Sequence, residues 1–74
     1  MTPETTEAAI KDFIKEIRAR LDHAAAVAKA AEACADAGSP AQAVTIVLDV
    51  EQPIYEVTTF LNATALIKGP PTPE

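Results

Sequence analysis

The sequence predicts an all-α protein: an antiparallel helical hairpin, its second helix kinked or broken near Pro53, expected to dimerise into a four-helix bundle. Three observations carry this expectation. Neither glycine nor proline interrupts residues 4–37, and apolar residues recur there at alternating spacings of four and three. The stretch "AGSPAQ" then places a helix stop and a helix restart side by side. Finally, one apolar stripe keeps helical phase through the proline of "DVEQPIYEV".

The first helix is predicted over residues 3–37. Thr2 supplies a hydroxyl cap, Pro3 suits the first helical position, and Glu4 faces the positive end of the helix dipole. Ile10, Ile14, Ile17, Leu21, Ala24, Ala28, Ala31 and Ala35 form a heptad seam. Glu7 with Lys11, Glu16 with Arg20, and Arg18 with Asp22 stand four residues apart, the spacing of ion pairs on a solvated face. Gly38 is suited to the left-handed conformation that ends a helix. Ser39 and Gln42 match a capping box around Pro40. So short a turn, residues 38–39, folds the second helix back beside the first.

The second helix is predicted over residues 40–68, interrupted near 53. Read as a strand, "AVTIVLDV" puts Val44, Ile46, Leu48 and Val50 on one face, and its β-branched content suits that conformation. Read as a helix, Ala43, Val47, Val50, Ile54, Val57, Leu61 and Ala65 share a stripe. That stripe crosses Pro53 in register, which a hairpin turn gives no reason to expect. Folding the chain at the turn also sets the alanine half of the first seam against Val47, Val50 and Ile54, small against large. Gly69 then stops the helix, and residues 69–74, "GPPTPE", read as a disordered Pro-rich tail behind a single domain of residues 1–68.

Size makes a partner necessary. Of the 36 apolar residues among 74, 16 are alanine, and Cys34 is the only cysteine, so there is neither a large core nor a disulfide to hold a chain this short. The hairpin seam leaves Phe13, Val27 and Cys34 on the first helix without cover. On the second helix it leaves Val44, Leu48, Tyr55, Phe60 and Leu66. A second copy is the simplest lid, which makes these eight the expected dimer or partner interface.

Charge and motif spacing exclude several classes of function. Seven acids against five bases before Gly38, and four against one from Gly38 onward, give −5 with no basic patch, which argues against direct contact with nucleic acid. No apolar run approaches membrane-spanning length, and the acidic N-terminus is unlike a secretory or transit peptide, so a cytoplasmic location is expected. One histidine and one cysteine build no His/Cys metal centre, and two distant glycines build no phosphate loop. No cofactor, metal or catalytic group is expected.

His23 stands outside the seam near Arg20. A helical histidine midway along a four-helix bundle is similar in outline to the dimerisation and phosphotransfer bundles of two-component signalling, which makes His23 a candidate phosphoacceptor. "LDHAAAVAK" departs from that family, whose sensor histidines are followed by an acid and a nearby proline. Cys34 reads as a small packed hydrophobe. The expected role is non-enzymatic: a helical hairpin that self-associates and acts through protein contacts, as an adaptor, small regulator or assembly component. The alternatives are an acidic mimic that blocks a basic nucleic-acid-binding protein, and phosphotransfer through His23.

Overall fold

The computed structural model describes residues 3–68. The chain forms α1 (Pro3–Asp36), α2 (Pro40–Val47), a 3-10 turn (Leu48–Val50) and α3 (Glu51–Lys68), with no strand among the described residues. The expected cap at Thr2, the stop at Gly69 and the tail over 69–74 lie outside them.

α1 packs along both α2 and α3. Phe13 meets Phe60 while Arg20 meets Glu56, so the arms run antiparallel, with α2, the 3-10 turn and α3 forming the second arm. The molecule measures 54 × 27 × 15 Å with a radius of gyration of 17.1 Å, against about 11 Å for a compact chain of this length. It is a thin, long hairpin.

The turn is a Schellman motif. Gly38 takes φ +92°, its N–H donates to the Ala35 carbonyl, and the Ser39 N–H donates to the Cys34 carbonyl, which satisfies two of the carbonyls that a helix end leaves orphaned. The capping box expected from Ser39 and Gln42 does not form, because Ser39 makes no side-chain cap hydrogen bond. Its carbonyl instead accepts the Ala43 N–H that opens α2. The Cys34 thiol also lies 3.6 Å from that carbonyl, within donating distance.

The interruption of the second arm lies ahead of Pro53, not at it. Proline lacks the N–H that would bond the carbonyl four residues back, and its ring crowds that carbonyl, here Asp49. The backbone at Leu48–Val50 accordingly tightens to 3-10 geometry, with the Glu51 N–H donating to the Leu48 carbonyl. Pro53 itself sits buried in the first turn of α3.

Both arms are rotated by about one residue from the predicted seams. Ala24, Ala31, Ala43 and Val57 are the buried hydrophobic side chains, each below one-tenth exposed. Flanking them are the half-buried Phe13, Ile17, Val27 and Cys34 on one arm and Ile46, Val50 and Phe60 on the other. The predicted seam positions Ile14, Leu21, Ala28, Ala35, Val47, Ile54, Leu61 and Ala65 are exposed instead. Phe13, Val27, Cys34 and Phe60, expected on a flank without cover, are half-buried, with the Phe13 and Phe60 rings in contact across the arms. Aromatic size accounts for the choice. The Phe13 and Phe60 rings pack with centroids 5.7 Å apart, and an aromatic pair removes more area from water than the Ile14 and Leu61 side chains that would replace it.

Candidate interaction surfaces

The rotation gives the hairpin two unlike flanks. Arg20 dominates the first. Its Nε donates to Glu56 Oε1 across the arms at 2.9 Å, its Nη1 bonds the Glu16 carboxylate and carbonyl one turn back, and the guanidinium lies 4.6 Å from the centroid of the Phe60 ring. Gln52 adds a hydrogen bond to the other Glu56 oxygen at 3.0 Å. An arginine suits this inward position because its aliphatic stem packs between the arms while its head stays wet.

These contacts shift two groups. The Glu16 carboxylate, and after it Glu56, raise the Arg20 pKa above its ordinary value against partial desolvation. Glu56 is held below the usual carboxylate range by the Gln52 hydrogen bond, then by Arg20 and the nearby His23, although desolvation pushes the other way. The groove on this flank holds about 650 Å³ and is lined by Ala19, Arg20, His23, Val27, Asp49, Gln52, Pro53 and Glu56. Its arginine already serves two carboxylates. His23 is exposed there, and Asp49 and Glu56 beside it oppose the approach of a phosphoryl group. No three His, Cys, Asp or Glu side chains converge as metal ligands among the described residues.

The second flank is apolar. Since positions 13 and 20 adjoin 56 and 60, the other edges of the two buried stripes share the opposite face of the hairpin. They carry Ile14 and Leu21 from α1 and Val47, Ile54 and Leu61 from the second arm, all between two-fifths and three-fifths exposed. Sequence periodicity assigned these five to the interior, so they were missed as surface. The signal that finds them is Phe13 and Arg20 in one heptad register with Phe60 and Glu56 in the facing one.

A third surface lies on the outer side of the second arm. Val44, Leu48, Tyr55 and Leu66 are exposed there, more so than any of the five on the apolar flank. Among the described residues, no helix is long and apolar enough to cross a membrane. The local ion pairs Glu7 with Lys11 and Arg18 with Asp22 form on the exposed side of α1.

Comparison with protein families, with curated proteins and with solved structures finds no match to this chain.

Proposed function

We propose that this chain is a non-enzymatic assembly module. Two hairpins pair through the flank of Ile14, Leu21, Val47, Ile54 and Leu61 into a two-fold four-helix bundle, which acts through protein contacts as an adaptor or assembly component. The carrying observation is the imbalance between core and surface. Among the described residues the buried side chains are Ala24, Ala31, Ala43, Pro53 and Val57, no large one is fully buried, and nine large apolar side chains are exposed. Five of the nine lie on one face, where a second copy buries them against their own equivalents.

Sedimentation equilibrium of the reduced full chain over a dilution series tests this reading. A dimer mass is expected, together with a monomer mass for Leu21→Glu or Ile54→Glu. Each substitution enters a two-fold interface twice, so about 1–2 kcal/mol per copy amounts to roughly 30- to 1,000-fold weaker association. Circular dichroism checks that these variants stay helical. A wild-type chain that remains monomeric at about 100 µM overturns the proposal.

A further inference from the structure

Leu48, Tyr55 and Leu66 form a surface that the proposed bundle does not use. Leu48 and Leu66 each stand nine residues from the buried Val57, and Tyr55 stands two residues from it. At about 100° per residue all three point away from α1, and they are 62%, 68% and 79% exposed. The pairing flank lies about a third of a turn away. The ridge therefore faces outward in a monomer and in the bundle alike.

Its chemistry is lopsided. Between Asp36 and Lys68 the chain has three acids and no lysine, arginine or histidine. Two of those acids, Asp49 and Glu51, line with Leu48, Gln52 and Tyr55 a depression of about 400 Å³ beside the 3-10 turn. The third, Glu56, is committed to Arg20 on another face. Leu48 and Tyr55 are seven residues apart, two helical turns, the spacing at which one helix meets the anchors of another. An exposed tyrosine beside a depression is the kind of residue that carries binding energy at protein interfaces.

We infer that this ridge docks a basic amphipathic helix of a protein partner. The partner's apolar face seats on Leu48 and Tyr55, and its lysines or arginines reach Asp49 and Glu51. Charge selects this class of occupant: nucleic acid and anionic membrane are both repelled by a face with acids and no base. The second copy supplies a poorer occupant, because its own net charge of −5 opposes an acidic ridge.

Tyr55 itself reports the test, being the only tyrosine in a chain without tryptophan. The full chain is titrated with a synthetic peptide of about 18 residues, built from leucine and lysine with leucines at helical i, i+3, i+4 and i+7 spacing, and tyrosine fluorescence is followed. A control peptide has the same composition in an order that gives no apolar face. Saturable binding of the first peptide is expected, at least about tenfold tighter than the control. Leu48→Ser should weaken it by about tenfold in the same readout, and Leu21→Glu should leave it unchanged. Equal binding of both peptides, unaltered binding by Leu48→Ser, or no fluorescence change with wild type each overturns the docking site. Leu21→Glu separates the two surfaces: a wild-type chain that is monomeric yet binds the peptide refutes the bundle alone, and a wild-type dimer that fails to bind it refutes the ridge alone.

Discussion

Arg20 donates its Nε–H to Glu56 on the opposite arm at 2.9 Å while its guanidinium lies 4.6 Å from the Phe60 ring centroid. One side chain thus fixes the register of the arms through a hydrogen bond and their separation through a ring contact. Glu16 completes the arrangement from the same helix as Arg20. The planar guanidinium reaches two carboxylates and a ring face together, which a lysine ammonium cannot do.

Arg20→Lys is therefore expected to lower the thermal midpoint by a few degrees although charge is conserved, and Arg20→Ala to lower it further by removing the packed stem. Thermal unfolding followed by circular dichroism at one fixed protein concentration measures both. A lysine variant that melts with wild type would show that the fork geometry contributes nothing.

Stability should also depend on pH through Glu56. Its carboxyl is held below the ordinary range by the Gln52 hydrogen bond and then by Arg20, so its folded-state pKa lies below its unfolded one. The ionised form then favours the folded state above about pH 4.3, and that contribution is lost as pH falls through the folded value. Arg20, shifted upward, stays protonated in both states throughout this range and adds no slope. Thermal midpoints collected from about pH 6 to about pH 3 should fall more steeply for wild type than for Glu56→Gln. Parallel curves would exclude the linkage.

The rotation of α1 is tested by enlarging alanines. Ala31 is 6% exposed between the arms, so Ala31→Leu overpacks the seam and should destabilise by about 1–3 kcal/mol. Ala33 is exposed on the same helix, and Ala33→Leu should stay within about 0.5 kcal/mol of wild type. Urea unfolding of the two variants compares them directly, and similar midpoints would contradict the burial pattern.

Gly38 tests the turn by a different mechanism. A Cβ at this position meets nothing within 4 Å, so the penalty of Gly38→Ala comes from the backbone at φ +92° alone. That conformation costs an L-residue about 1–2 kcal/mol. Gly38→Asn, which tolerates the left-handed region better, should lose less. Urea midpoints in the order glycine, asparagine, alanine are expected; an alanine variant as stable as wild type would mean that the turn can adopt another conformation.

Much of this architecture was legible in the residues. The unbroken stretch before Gly38, the glycine at the helix end and the proline at the start of α2 fix two antiparallel arms by local rules alone. The seam positions Ile10, Ile17, Ala24 and Ala31, and Ala43, Val50 and Val57 across from them, were also legible, because they are inward for either rotation of each helix. The position of the 3-10 turn follows from the reach of the Pro53 ring back to Asp49, a local steric effect whose consequence appears several residues upstream.

What the sequence by itself determined is thus two helices, their turn and the centre line of each buried stripe. The tertiary structure decided which edge of each stripe goes inward, and with it the candidate interaction surface. Periodicity could not make that choice: on α1, positions 14, 21 and 28 and positions 13, 20 and 27 flank the same centre line at the same heptad spacing, and both sets are largely apolar. Only the facing helix separates them, by offering Phe60 and Glu56 to Phe13 and Arg20. That pairing buries the aromatic rings and satisfies the arginine, and it leaves Ile14, Leu21, Val47, Ile54 and Leu61 outside.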